Sequence, residues 1–516
     1  MTEVADGFRG PAEPARGQHA VGIDIGKDAG QRNLYLHYLR GLAALAVVLY
    51  HCSEYLASGR GDGRFLSVFS GFFGGYGVAI FFGISGYLIA EVLRRDSPAR
   101  FIMSRMARIY PLMLIVIGLF AAVFAISGSP RGVNAISLTL APTGPRGYFL
   151  GVEWTLLYEM TYYVGLGLLG FVGLARYRDK IVVAWLALLC FAYSLGGREE
   201  VTGLPVLSEI PLSVITLPFL LGYLASEAAR RGWLHPLLAI CAIPPALVAL
   251  FTETAHFRLL IGLSAGLLIA GAVCAPPLKL RGRADRLGVR LGDASYALYL
   301  CHVPVILILG SVLSPSLPSS IVWLSWLASA LGLALLLGPL DVALYRRLKR
   351  AIDAARPARL YAAALLFITA FLAIAIHAER EVRLDAAELE QARRSLDAPV
   401  LTEGDGIRAD IDNLERLPNG TWVIRGYAVD LERPGLATHF ALKQRGRILV
   451  LVSMRRVRPD VARTLERPDL KGKRFGFMTP LPVIDCAAGR LEGFIAVEDG
   501  RVVKLPEERL STICRK

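Results

Sequence analysis

The sequence predicts an all-α polytopic membrane bundle, about ten core helices plus an eleventh, followed by a C-terminal β-rich domain. Three observations predict it. Of the 516 residues, 54% are hydrophobic and 19% charged, with a mean hydropathy of +0.48; soluble domains average roughly 45–50% apolar and about 25% charged. Apolar runs near the ~20-residue length that crosses a bilayer recur up to residue 377. Beyond residue 400 the helical pattern gives way to short β-branched and aromatic runs.

Residues 1–33 are polar and lack the apolar stretch of a cleaved signal, so they read as a mobile cytoplasmic leader. Eleven membrane helices follow, at 34–56, 72–93, 109–127, 148–170, 181–196, 211–228, 234–251, 257–275, 291–312, 320–344 and 360–377. The first ten form a core over 34–345, and 360–377 is the added span. Arginine and lysine crowd every second connection, as in "RRDSPARFIMSRMAR" (94–108) and "YRRLKRAIDAARPAR" (345–359), whereas "LSPSLPSS" (313–320) has none. This positive-inside pattern places the N-terminus in the cytoplasm and, after eleven crossings, the C-terminus outside. The net charge of +14 therefore reports membrane topology, and nucleic acid is not an expected partner.

Residues 378–396, with Val382, Leu389 and Leu396 spaced by sevens, read as a helical neck. Residues 397–516 read as a small β-sandwich or barrel, from "TWVIRGYAVD" (421–430), "RILVLVSM" (447–454) and "GFIAVEDGRVVKL" (493–505) with its Asp499-Gly500 turn. It lacks the Gly-Asp-Ser block of esterase-type hydrolase domains and reads as a binding or structural module. Five cysteines lie in the apolar helices without Cys-x-x-Cys spacing and read as packed side chains; no metal site is expected from them. Cys486 and Cys514 are the two in the tail, a possible disulfide if that side is oxidising.

Ionisable residues inside membrane helices are costly, and by default they mark function. Arg40 and His51 are eleven residues apart, almost three turns, so they share one helix face about 16 Å apart. A neutral histidine near mid-membrane suits general-base chemistry; a bland reading satisfies it with a backbone carbonyl. Arg105 and Arg108, where the third helix begins, make a forked clamp suited to phosphate, or are ordinary cytoplasmic-side arginines. Glu159 lies about 16 Å below the outer boundary and must pair, with Arg40 or His51 as candidates, or stay protonated. Glu153, at the rim, reads as a solvated end residue. Tyr296, Tyr299 and His302 follow one helix stripe and can line a polar channel, or serve as core packing. Ser85, between Gly83 and Gly86, reads first as close helix packing and second as function.

In order, the chain shows Arg-x10-His, "FFGISGYLI", "RFIMSRMARIYP", "WTLLYEMTYY" and "LGDASYALYLCHVP". This series resembles acyltransferase family 3, integral membrane enzymes that decorate exported carbohydrates, over about residues 34–345. The wording "GVEWTLLYEM" is closest to members acting on exopolysaccharides and lipid-linked oligosaccharides. The resemblance implies that Arg40 and His51 are essential, that Arg105 and Arg108 help hold an acyl-CoA donor, and that Glu159 is the family's helix-4 glutamate. Relatives often carry a second acidic residue after that glutamate; here Met160 stands there. The expected reaction moves an acyl group, acetyl first, from cytoplasmic acyl-CoA to a sugar hydroxyl of a surface or exported glycan, with His51 either as general base or as a covalent carrier of the acyl group. It needs no permanently bound cofactor, and its setting is the cytoplasmic (inner) membrane and its lipid. The rival class is a transporter or flippase for a lipid-linked sugar, but no pair of matching broken helices or inverted repeat supports it.

Overall fold

The computed structural model describes residues 33–516 except 129–130, 145–146, 197–203, 252–255, 279–281, 398–406, 417–421, 432–436, 455, 482–483, 485, 487–488, 499, 506–509 and 511–516. The expected leader at 1–32 lies outside the described residues. The chain divides at Ala375 and Ile376 into two compact units.

The first unit is helical. Its elements are α1 (Leu34–Arg60), α2 (Gly71–Arg95), α3 (Pro98–Ile126), α4 (Trp154–Phe171), α5 (Arg178–Ser194), α6 (Leu217–Arg230), α7 (Leu238–Cys241), α8 (Ile243–Phe251), α9 (Phe257–Cys274), α10 (Arg283–Val312) and α11 (Ser319–Ala354), joined by the start of α12 (Pro357–Asp397). Among the described residues seven helices are long and apolar enough to cross a membrane: α1, α2, α3, α9, α10, α11 and α12. This is the pattern of a multi-pass membrane protein.

The other expected spans are shorter or more polar. Helix α6 has 14 residues, about 21 Å of rise, less than the roughly 30 Å hydrocarbon core. The expected span at 234–251 breaks at Ala242 into α7 and α8, with Pro244 and Pro245 in the first turn of α8, where proline costs no helical bond.

Helix α3 begins eleven residues before the expected 109. Ser97 caps it, accepting from the Arg100 N–H at 3.4 Å, and Pro98 opens its first turn. Charge density had suggested a loop there, but the Ser-Pro start extends the helix and carries Arg105 and Arg108 two turns inside it. Helix α4 starts six residues late. Glu153 is buried, and its carboxylate accepts the N–H groups of Leu150 at 2.7 Å and Val152 at 3.1 Å. It is therefore not the solvated end residue expected, because a carboxylate just ahead of a helix satisfies the orphan donors of the preceding turn.

Glycines set the closest helix crossing. A Cβ at Gly222 on α6 would lie 1.9 Å from the Gly83 carbonyl oxygen on α2, and one at Gly86 would lie 2.0 Å from the Phe219 oxygen. Of the intramembrane cysteines, Cys52 and Cys301 are buried as expected, but Cys190 and Cys241 are exposed on the bundle surface.

In the second unit the expected neck is the continuation of α12, which runs 41 residues without interruption. The strands are β1 (Ile407–Arg416), β2 (Trp422–Asp430), β3 (Ala437–Gln444), β4 (Arg447–Ser453), β5 (Arg456–Val457), β6 (Arg474–Pro480), β7 (Leu491–Val497) and β8 (Val502–Lys504), with a short α13 (Pro459–Thr464). They form two four-stranded antiparallel sheets, ordered β1-β2-β6-β5 and β4-β3-β7-β8. Phe440 and Phe477 stack between the sheets at 4.1 Å, and Ile424, Leu442 and Ile495 complete a sandwich core. The predicted strand at 493–505 folds as the β7–β8 hairpin, with Gly500 in the left-handed region at φ 87°.

Leu396 and Ala392 of α12 pack on Ala441 and Phe494, on the other face of the β3–β7 pair. The buried Lys443 ammonium donates to the Leu396 carbonyl, closing the helix end. The sevenfold spacing of Val382, Leu389 and Leu396 thus reduces to a single anchor: Leu396 is fully covered, while Leu389 stays 37% exposed. Cys486 is disulfide-bonded; Cys514, its expected partner, lies outside the described residues.

Candidate functional site

Helix α1 packs chiefly against α10 and α2. Gly41 meets Leu291 and Gly292, so small residues let α1 and α10 approach closely. Three cavities lie in series along this seam. The first, about 1000 Å³, is lined by His51, Tyr50, Trp154 and Arg258. A middle cavity of about 120 Å³ is lined by Arg40, Ser85, Arg105, Arg108, Glu159 and Tyr296. The third, about 150 Å³, is lined by His37, Arg40, Arg105, Asp293 and Arg346. Neighbouring cavities share walls: Val78, Phe82 and Tyr299 bound the first two, and Arg40, Arg105 and Arg108 bound the second two. Arg40 and His51 therefore face the same row of cavities at different levels, as their common helix face requires.

His51 is held by two contacts on one nitrogen. Its Nδ1 lies 3.0 Å from the Val47 carbonyl and 3.2 Å from His302 Nε2. A carbonyl only accepts, so Nδ1 carries the hydrogen and Nε2 keeps a lone pair. His302 is fully buried, and its own Nδ1 donates to the Leu298 carbonyl at 3.1 Å. It lines none of the three cavities, a correction to its expected channel-lining place. Tyrosine at 299 and at 296 do line cavities. The Tyr299 hydroxyl is shared with Thr155 at 2.7 Å and Val152 O at 3.1 Å, and Tyr296 donates to Ile109 O at 2.8 Å.

Glu159 is bound by neither Arg40 nor His51. Ser85 donates to its Oε1 at 2.5 Å, and Tyr163, one turn further along α4, donates to the same oxygen. Ser85 and Tyr163 hydroxyls are also 3.1 Å apart. The motif around Ser85 thus does both expected jobs: its glycines pack helices and its serine reaches the cavity.

The two arginines of α3 differ. Arg108 forms a 2.7 Å ion pair with the buried Asp341 of α11 and lies over the Tyr296 and Tyr345 rings at 5.4 and 5.7 Å. Arg105 is buried, with its Nε unbonded and its guanidinium 6.0 Å from the Tyr163 ring. Arg40 makes no hydrogen bond or ion pair among the described residues; its field comes from Arg108, Asp341, Glu159 and Asp293. The symmetric clamp expected of Arg105 and Arg108 is therefore unequal, because Asp341 already neutralises one member. Arg40 and Arg105, neither paired with a carboxylate among the described residues, remain in the middle cavity to attract an anion.

Sequence reasoning did not single out Asp341, Tyr163 or the contact of His302 with His51. Asp341 was detectable, being a lone carboxylate in the apolar run "LALLLGPLDVALY". Tyr163 was within reach as the i+4 neighbour of Glu159. Among the described residues no three His, Cys, Asp or Glu side chains converge as metal ligands.

Comparison with known proteins agrees with this architecture. The chain is 24% identical to nodulation protein 10 of Rhizobium leguminosarum bv. viciae over 323 residues, covering 54% of this chain and 83% of that protein. No solved structure matches the chain. Residues 33–339, which contain α1, the arginines of α3, Glu159 and His302, match the family model described as an acyltransferase domain, and the chain belongs to that family, acyltransferase family 3.

Proposed function

We propose that this acyltransferase moves an acyl group, acetyl in the simplest case, from acyl-CoA to a sugar hydroxyl of a cell-surface or exported glycan. One observation carries the reading. A neutral imidazole whose Nε2 has no hydrogen-bond partner among the described residues lies on a large cavity, and that cavity adjoins a narrow one holding two arginines with no carboxylate partner among the described residues. Acyl-CoA is a polyanion with a slender arm, which suits an arginine-lined end and a passage of about 120 Å³. A sugar is bulky and polar, with apolar faces, and suits about 1000 Å³ walled by Tyr50 and Trp154.

The step balances within these groups. His51 Nε2 takes the hydroxyl proton as the oxygen attacks the thioester carbonyl. The new C–O bond forms, the C–S bond breaks, and the proton passes from Nε2 to the departing thiolate. Arg40, which opens onto the next two cavities and not onto the one at His51, attracts the anionic donor along the seam. The same reading sets the Arg346 end in the cytoplasm, the His51 end toward the exterior of the inner membrane, and the β-sandwich outside. The acceptor is then a glycan or lipid-linked saccharide met on that outer side.

The test is the ester content of surface polysaccharide in a deletion strain complemented with wild type or His51→Ala at equal protein level. Mass spectrometry should show a defined acyl mass on one sugar restored by wild type alone. Unchanged ester with reduced polymer export would instead favour a transporter.

A further inference from the structure

We propose that His302 is the positioning residue for His51, filling with a neutral imidazole the place that a carboxylate takes in a serine-hydrolase triad. The inference rests on the acyl-transfer reading above and adds how the base is held.

The hydrogen-bond chain has one direction. Leu298 O accepts from His302 Nδ1 at 3.1 Å, so in the neutral ring His302 Nε2 bears a lone pair. That lone pair faces His51 Nδ1 at 3.2 Å, and the same Nδ1–H is also drawn to Val47 O at 3.0 Å. The opposite tautomer of His51 would set a ring lone pair against a carbonyl lone pair, which is repulsive. The two rings lie 5.0 Å apart at 48°, and Tyr299 packs its ring 5.9 Å from His302. With Nδ1 fixed as donor, His51 Nε2 is the nitrogen free to take a proton.

The pair gains strength as the reaction proceeds. When Nε2 accepts the sugar hydroxyl proton, the ring becomes an imidazolium and Nδ1–H becomes a charge-assisted donor to His302. In this proposal His302 exchanges no proton and touches no substrate, since it is fully buried and lines none of the three cavities described. The in-helix contact to Val47 fixes the tautomer, while the contact across from α1 to α10 fixes the ring plane. Glu159, the carboxylate considered as a partner for His51, hydrogen-bonds Ser85 and Tyr163 and makes no hydrogen bond to His51 among the described residues, so it does not orient this ring. Helix α10 is continuous through this position, so His302 is carried by a rigid element, not a loop.

The experiment uses membrane vesicles of the host carrying full-length protein, radiolabelled acetyl-CoA as the donor and the endogenous glycan as acceptor. Maximal rate and the apparent KM for acetyl-CoA are measured for wild type, His51→Ala, His302→Leu, His302→Gln and His302→Asn, normalised to folded protein. His302→Leu removes the acceptor of one charge-assisted hydrogen bond and should lower the maximal rate about 10- to 100-fold, with KM unchanged within about twofold. Gln places its side-chain oxygen where His302 Nε2 stands and should restore most of the rate. Asn is shorter, leaves that oxygen near the Nδ1 position, and should not. Equal rates for Gln and Asn, or an unimpaired His302→Leu, overturn the proposal. If wild type labels no glycan, the acyl-transfer reading itself falls. If wild type labels it and His51→Ala labels it equally, the site assignment falls and the role of His302 goes with it.

Discussion

Arg108 of α3 and Asp341 of α11 form a 2.7 Å ion pair inside the helical unit, 233 residues apart in sequence. The Asp341 side chain is 4% exposed and that of Arg108 24%. Removing one partner strands the other in a medium that cannot solvate it, at a cost of about 3–5 kcal/mol. Asp341→Asn should therefore lower thermal stability in detergent strongly, whereas the double change Arg108→Met with Asp341→Leu should recover most of it. A double variant no better than the single one would show that the pair matters for more than its charge.

Arg105 should behave differently from its neighbour. It is buried with no acidic partner among the described residues and lines two cavities, so a lone buried cation is what Arg105→Gln removes. Thermal stability should hold or rise slightly, while the KM for acyl-CoA rises about tenfold or more, a loss of 1.4 kcal/mol or greater in donor binding. Kinetics on membrane vesicles test this, and an unchanged KM would take Arg105 out of the donor site.

Glu159 gathers two hydroxyl donors on one oxygen, and Arg40 and Arg105 lie along the same cavity. Glu159→Gln keeps an acceptor for Ser85 and Tyr163 and should fold normally. It removes the negative charge that balances the arginines, so acyl transfer should fall at least tenfold. Glu159→Ala leaves both buried hydroxyls without an acceptor and should also cost about 1–3 kcal/mol in stability. Full activity in Glu159→Gln would reduce this residue to a hydrogen-bond hub.

How much of this was legible in the sequence depends on whether the signal was local. Apolar runs located the helices to within a turn where nothing competed, as at α1, α2 and α9. Spacing put Arg40 and His51 on one face because a helix has a fixed period. The sevenfold spacing in 378–396 predicts a helical neck rising from the last apolar span, and α12 passes from one into the other unbroken. The partners were invisible: His51 meets His302 from 251 residues away, and Arg108 meets Asp341 across a similar gap. Periodicity tells which way a side chain faces and is silent on what stands opposite. Helices α3 and α10 begin eleven and eight residues before the apolar runs that locate them, because charged residues there continue the helix, whereas α4 and α6 begin six residues after theirs, because apolar residues there belong to the preceding connection.

The α2–α6 crossing predicts opposite outcomes for two glycine-to-alanine changes. At Gly222 the new Cβ would sit 1.9 Å from backbone oxygen of Gly83, which cannot swing aside. Gly222→Ala should cost at least about 1–3 kcal/mol and reduce the folded yield. At Gly118 on α3 a Cβ meets nothing within 4 Å, so Gly118→Ala should gain up to about 1 kcal/mol of helix propensity. Thermal unfolding of the two variants side by side checks the crossing, and a neutral Gly222→Ala would mean the helices lie further apart.

In the sandwich, Arg458 is 7% exposed and its guanidinium holds Asp412 and Asp460 together, also donating to the Gly426 carbonyl at 3.3 Å. The Arg458 hydrogen bonds keep the Asp460 carboxyl well below the usual carboxylate range, and the same bonds raise Arg458. A depressed carboxyl contributes stability that is complete above its unfolded value, near 4, and lost as pH falls through its folded value. Asp460 is half exposed, which weakens its share, so the effect should be a gradual loss of sandwich stability below about pH 4. Arg458→Met should abolish that acid dependence and lower stability at pH 7, because Asp412 and Asp460 then repel without a cation between them. A 3-fluorotyrosine placed at position 427, 5.8 Å beneath the Arg458 guanidinium, supplies the readout: its fluorine resonance in full-length protein should follow the acid transition in wild type and stay flat between pH 5 and about pH 3 in Arg458→Met. An identical acid transition in both proteins would assign the loss to other carboxylates.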